Sequence, residues 1–301
     1  MREGQLATYI PQLAEVDPDG FGISVATVDG RFFEVGDHQH LFTLQSISKP
    51  LVYGLALETT DAEALQDRVN VEPTGDPYNS IVKLDDTGRP HNPLINTGAI
   101  AVADLIRGDS LEERFAKIAV TFEGYLGRSI DVDEAVYQSE RHTGDRNRAI
   151  AQLLKHFGRL EGPLEESLDL YFRQCSVRVN AHDLALTGAT LANAGVNPIT
   201  GKRVLSDHHV SCLLSLMLSC GMYDYSGQWA YRVGLPAKSG VGGGICVVVP
   251  GEMGIGVFSP RLDERGNSAR GLAVVEAISR EYGLHVFGRD SRCAALDEVL
   301  G

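Results

Sequence analysis

The chain has 301 residues, enough to bury a substantial core in one large domain or two joined lobes. Its 43% hydrophobic and 22% charged residues match an ordinary globular protein, and no apolar run approaches the roughly 20 residues of a membrane helix. The 40 acids against 27 bases give a net charge of −13, which argues against a nucleic-acid partner because phosphate neutralisation dominates that affinity.

The N-terminal stretch "MREGQLATYIPQLAEVDPDG" carries acids and a proline where a secretory signal requires an apolar run, so a cytoplasmic location is expected. Within it, Gln5 to Leu13 reads as a short helix punctuated by Pro11. "GFGISVATVDGRFFEVG" follows, two strand-forming runs joined by Asp29-Gly30, a strong hairpin signal. "LFTLQSISKPLVYGLALE" then turns helical. From about residue 60 to 222, apolar residues recur at three- and four-residue spacing. They predict helices near 97–107, 111–125, 131–140, 144–157, 163–172, 181–194 and 206–219. After Tyr223, "WAYRVGLPAKSG", "GGICVVVPG" and "MGIGVFSPR" read as three short strands, and "NSARGLAVVEAISREYG" as a closing amphipathic helix.

This order predicts an α+β fold, in which antiparallel strands from both ends of the chain form one sheet and the middle forms a helical lobe. A single domain over 1–301 is expected, with lobe A made of 1–60 and 223–301 and lobe B of 61–222. The cleft between lobes is the natural place for a site.

The five cysteines (Cys175, Cys212, Cys220, Cys246 and Cys293) are odd in number and contain no C-x-x-C pair, so free thiols are expected. The pair His208-His209 lacks further ligands at useful spacing and reads as a helix start; no metal is expected.

The stretch "LQSISKPL" places Ser46 three residues before Lys49, on one face of a helix. Ser48 lies beside Lys49 and cannot share that face, which makes Ser46 the candidate nucleophile. A serine hydroxyl needs a neighbouring base, and lysine serves as one when burial or nearby positive charge lowers its pKa. Pro50 belongs in the first turn of a helix, so the pair sits at a helix N-terminus, where the dipole disfavours a charged lysine. With 19 serines and six lysines, about 0.4 chance matches to S-x-x-K are expected, so the motif alone is weak. A second element strengthens it. "AKSGVGGG" holds Lys238-Ser239-Gly240, and S-x-x-K with a later K-[ST]-G is the pairing of penicillin-recognising serine enzymes.

Within that superfamily the blocks "ATYIPQLAEVDPDGFGI", "LQSISKPLVYGLAL", "RPHNPLINTGAI", "YFRQCSV" and "CGMYDYSGQWAYRVGLPAKSGVGGGI" resemble the successive signatures of the serine-dependent glutaminases. The resemblance runs in order along nearly the whole chain. It implies a β-lactamase/DD-peptidase-like fold and hydrolysis of the side-chain amide of L-glutamine, without cofactor or metal, by a homodimer or homotetramer. It puts the nucleophile on Ser46 and its lysine on Lys49. It puts substrate contacts on Tyr9, Asn96, Glu140, Asn147, Tyr171, Tyr223 and Val241.

The chemistry of these residue types agrees. Glu140 suits the substrate ammonium, Asn96 and Asn147 offer amide donors to its carboxylate, and Tyr9 and Tyr171 offer hydroxyls. A salt bridge from Glu140 to Arg141 or Arg146 is the plain alternative. The backbone N–H groups of Ser46 and Val241 would hold the oxyanion. Tyr223 is the expected proton relay, with Tyr171 as its competitor. The rival activity on the same scaffold is a penicillin-recognising hydrolase or esterase, and a binding protein for glutamine without turnover is a further alternative.

Overall fold

The computed structural model describes residues 2–75 and 84–288; Cys293 lies outside them. The N-terminal arm differs from the expected helix over Gln5 to Leu13. Gln5 forms a β-bridge with Leu262, and only Pro11–Ala14 (α1) is helical. Pro11 supplies the reason. The residue before a proline is pushed out of the helical region, and Ile10 is extended at φ −133°, ψ 148°. The helix therefore begins on the proline itself.

The hairpin is present as β1 (Gly22–Thr27) paired antiparallel with β2 (Phe32–Gly36), with Gly30 at φ +85° in the turn. Strand β3 (Phe42–Thr43) leads into a 3-10 turn at Gln45–Ile47, then α2 (Ser48–Thr59) and α3 (Ala62–Arg68). The helices α4 (Asn96–Leu105), α5 (Leu111–Leu126), α6 (Glu134–Thr143), α7 (Asp145–His156) and α8 (Leu164–Cys175) follow. Next come β4 (Arg178–Val179), which pairs with β3, then α9 (Ala181–Ala192) and α10 (Asp207–Cys220). The predicted helices of this middle region are all present, displaced by at most three residues at either end. Side-chain caps fix several starts: Ser110 accepts the Glu113 N–H, Asp133 that of Val136, and Asn180 forms a capping box with Asp183. The His208-His209 pair sits in the first turn of α10, where His209 Nδ1 lies 2.9 Å from Glu58 Oε1.

"WAYRVGLPAKSG" departs from the strand reading. Ser226–Arg232 is a helix, α11, and only Ala237–Ser239 is a strand, β5. The helical turn carries Trp229 fully into the core, where its Nε1 donates to Leu235 O at 2.7 Å. The last elements are as expected: β6 (Gly244–Val249), β7 (Met253–Phe258) and α12 (Ala269–Tyr282).

The main sheet runs β2-β1-β7-β6-β5, antiparallel throughout, so strands from both ends of the chain share it. Helix α12 covers one face, where Val275 packs with Ile245, Val247, Ile255 and Val257. Helix α9 covers the other. In β7, Gly254 and Gly256 both face α9. A Cβ at Gly254 would lie 2.2 Å from Ala185 O, and one at Gly256 would lie 2.0 Å from Ala181 O. Two glycines, two apart on a strand, thus let the helix backbone rest on the sheet. Although α9 belongs to the 61–222 stretch, it is a layer of the sheet, and the other helices pack beyond it around Leu51, Ile100, Phe122, Phe172 and Leu213. No described helix is long and apolar enough to cross a membrane.

Candidate active site

Ser46 lies in the 3-10 turn that joins β3 to α2. Gln45, just before it, takes φ +49°, a left-handed conformation that side chains other than glycine rarely adopt. Ser46 is left half-buried at a cavity wall, while Ile47 and Ser48 enter the core. Ser48 Oγ donates to Gln45 O at 2.7 Å and accepts from Gln174 Nε2 at 3.2 Å. Of the two serines, only Ser46 lines the cavity.

The loop after β5 forms the facing wall. A Cβ at Gly240 would lie 3.0 Å from Leu44 O, and one at Gly242 would lie 2.7 Å from Thr43 O. "LQSISK" and "KSGVGGG" are therefore brought into direct contact. Between them lies a cavity of about 370 Å³, lined by Tyr9, Gln45, Ser46, Asn96, Glu140, Thr143, Gly144, Arg146, Asn147, Tyr171, Cys175, Tyr223 and Val241.

Lys49 stands behind this lining, 2% exposed. Its Nζ donates to Asn96 Oδ1 at 2.7 Å, and Asn96 Nδ2 donates in turn to Asn147 Oδ1 at 3.0 Å. Among the described residues no hydrogen bond joins Lys49 to Ser46. Burial lowers the Lys49 pKa to about 8, against the opposing pull of Cys175 and Glu140.

A family model described as Glutaminase matches residues 4–287. The chain belongs to the glutaminase family. It is 55% identical over 287 residues to a glutaminase of Microcystis aeruginosa (strain NIES-843 / IAM M-2473), an alignment covering 95% of this chain and 85% of that protein. The solved structure of the probable glutaminase ybaS matches with a TM-score of 0.91 and 46% identity, over 95% of this chain and 93% of that one. Mglu in its glutamate form matches with a TM-score of 0.92 and 42% identity, over 96% and 67%. The fold is thus the β-lactamase-like fold of glutaminases.

In this glutaminase the acidic end of the cavity is Glu140, 7% exposed on α6. Tyr9 OH donates to its Oε1 at 2.7 Å and lies 3.0 Å from Gln45 Oε1. Tyr9 is 47% exposed as a whole, yet its hydroxyl is inside, where burial and then Glu140 push the phenol pKa well up. Burial raises the Glu140 pKa, opposed by the hydrogen bonds from Tyr9 and Gln45 and by Lys49. Neither Arg141 nor Arg146 pairs with Glu140 among the described residues, so the plain salt-bridge reading fails.

Tyr171 and Cys175 lie one turn apart on α8, both buried. Burial raises the Tyr171 phenol well above its usual range and the Cys175 thiol to about 12. Tyr223, opposite, takes φ +56° and donates to Ser239 O at 3.2 Å.

Every lining residue named from the sequence is therefore gathered around one cavity, with Lys49 directly behind Asn96. Five further lining positions are not among the site residues expected from the sequence: Gln45, Thr143, Gly144, Arg146 and Cys175. Gln45 stood beside Ser46 in the quoted motif, and its burial at 3% is the signal that a sequence does not carry. Arg146 enters the sequence reading only as a possible salt-bridge partner of Glu140.

Proposed function

We propose that the chain hydrolyses L-glutamine to L-glutamate and ammonia through a glutamyl ester on Ser46. The observation that carries this is the presence of a buried, easily neutralised Lys49 behind, and a carboxylate, Glu140, in the wall of, one cavity of about 370 Å³ that Ser46 also lines. A free amino acid brings an ammonium and a carboxylate along with its amide. Glu140 takes the ammonium through a charge-assisted hydrogen bond. Asn147 and Asn96 donate to the carboxylate, and Arg146 at the cavity wall adds the positive charge that the amides lack.

Neutral Lys49 takes the proton of Ser46 Oγ, and Oγ attacks the amide carbon. The oxyanion lies between the N–H groups of Ser46 and Val241; among the described residues the Val241 N–H has no carbonyl partner. The proton held on Lys49 passes through Tyr223 to the amide nitrogen, the C–N bond breaks, and ammonia leaves. Water then adds to the ester carbon, gives a proton back to Ser46 Oγ along the same path, and glutamate departs. Lys49 donates to Asn96 in the free protein, and the dyad closes when substrate engages that asparagine.

The reading includes a single catalytic domain in which lobe 1–60 with 223–301 faces lobe 61–222 across the cavity, working in the cytoplasm as a homodimer or homotetramer. Ammonia release from glutamine by wild type and Ser46→Ala tests the core of it, with the quenched wild-type reaction examined by intact mass. We expect a glutamyl adduct on the Ser46 peptide and loss of turnover in a folded variant. Substantial activity in Ser46→Ala, or faster hydrolysis of nitrocefin than of glutamine, would refute it.

A further inference from the structure

The block "YFRQCSV" is accounted for only where Tyr171 and Cys175 line the cavity; its glutamine, Gln174, has no task in the proposed reaction. Gln174 lies on α8 and is 0% exposed. Its Nε2 donates to Ser48 Oγ at 3.2 Å. Ser48, also 0% exposed, donates that hydroxyl to Gln45 O at 2.7 Å. The other end of the amide, Gln174 Oε1, is buried and has no hydrogen-bond partner among the described residues.

A fully buried amide with an unmet acceptor is costly, and a methionine of similar length would fill the space without one. The turn itself does not need the amide, since both the N–H and the hydroxyl of Ser48 already reach Gln45 O. What Gln174 adds is an anchor outside the turn. By donating to Ser48 Oγ it directs the serine proton onto Gln45 O and strengthens that bond, as successive hydrogen bonds polarise one another.

The carbonyl so held belongs to the peptide unit that joins Gln45 to Ser46. That unit is planar, so fixing its oxygen from the core side fixes the direction of the Ser46 N–H on the other side. The backbone needs such a hold, because Gln45 takes φ +49°. The Gln45 side chain is held separately, by Tyr9 OH at 3.0 Å and by its own donation to Thr43 Oγ1 at 3.2 Å. The Ser46 N–H is one of the two donors assigned above to the oxyanion.

We propose that Gln174 is a positioning residue for glutamine hydrolysis, acting through Ser48 on the Gln45–Ser46 peptide and so aiming the Ser46 N–H at the oxyanion. The inference rests on the reading of Ser46 as nucleophile and oxyanion donor. An oxyanion forms only after attack, so the effect falls on kcat and not on KM.

The test is a double-mutant cycle with Gln174→Met and Ser48→Ala, reading kcat, KM and thermal midpoint. Gln174→Met is expected to lower kcat at least about tenfold, with KM within about twofold and the midpoint unchanged or higher. Added to Ser48→Ala, it is expected to cause no further loss, because the hydroxyl through which it acts is gone. A wild-type kcat in Gln174→Met overturns the inference, as does an equal loss in both backgrounds. A fall in midpoint that parallels the loss of kcat overturns it too, by assigning Gln174 to stability alone. Should Gln174→Met fail to fold, Ser48→Ala by itself decides by the same criteria. Substantial turnover in Ser46→Ala would overturn the nucleophile reading, whereas an inactive Ser46→Ala beside a normal Gln174→Met overturns only the positioning role.

Discussion

Lys49→Met should abolish glutamine hydrolysis and yet make the protein more stable. Burial lowers this lysine from the ordinary 10.5 to about 8. The gap corresponds to about 3 kcal/mol against the charged form. The unfolded chain keeps the proton up to pH 10.5, whereas the folded chain loses it above about 8. At pH 7 both are protonated and the folded state bears the whole penalty; between pH 8 and 10.5 the penalty fades as the unfolded lysine also becomes neutral. Methionine removes the penalty but leaves Asn96 Oδ1 without its 2.7 Å donor, at a cost of about 1 kcal/mol. The net gain at pH 7 is about 2 kcal/mol, shrinking to about zero near pH 10. Urea unfolding of both proteins at pH 7 and pH 10 measures it. A loss of stability at pH 7, or the same difference at both pH values, would refute the reasoning. The same lysine gives wild-type kcat/KM an acidic limb near pH 8, rising about tenfold from pH 7 to pH 9.

Glu140→Gln keeps the shape of the cavity and removes the proposed partner of the substrate ammonium; KM for glutamine should rise about 10- to 100-fold in steady-state assays. Arg146→Gln should raise KM several-fold and weaken inhibition by glutamate, with an unchanged thermal midpoint because the side chain is exposed. Gly98→Ala would place a Cβ 1.9 Å from Asn92 O and push the start of α4, with Asn96, away from the cavity. Urea unfolding should show a loss of about 1–3 kcal/mol, together with a drop in kcat. Gln45→Gly should be about 1 kcal/mol more stable than Gln45→Ala, since only glycine takes φ +49° freely, while both lose binding of glutamine.

The parts of this molecule that were legible in the sequence are those governed by short-range periodicity. Helices α5, α6 and α9 announce themselves by apolar spacing, and Ser110, Asp133 and Asn180 cap them in the structure. Ser46 and Lys49 announce themselves by one helical turn, and Lys238-Ser239-Gly240 by its glycine-rich strand end. What escaped depended on distant partners. The N-terminal arm looked helical until Pro11 and the bridge to Leu262 held it extended, and that extension is what carries Tyr9 to Glu140. Trp229 reads as a strand residue by propensity, but the core that receives it and the Leu235 carbonyl that bonds it favour a helix. Gly254 and Gly256 lie in a run that reads simply as a strand; their purpose appears only when α9 is laid against them.

Three described residues other than glycine have positive φ: Gln45, Ala194 and Tyr223. Two of them, Gln45 and Tyr223, line the same cavity as Ser46. A left-handed residue costs about 1–2 kcal/mol, so each must be held by contacts that a relaxed turn would forgo. Gln45 is held by its Nε2 donating to Thr43 Oγ1 at 3.2 Å and by Tyr9; Tyr223 is held by Ser226 and Lys238. The strain has a geometric use. Had Gln45 been helical, the turn would have run smoothly into α2 and drawn Ser46 toward the core with Ser48. The left-handed step leaves Ser46 at the cavity wall while Lys49, three residues on, is buried behind Asn96. In the proposed mechanism a dry base and a wet nucleophile three residues apart are opposing demands, and the left-handed step at Gln45 reconciles them.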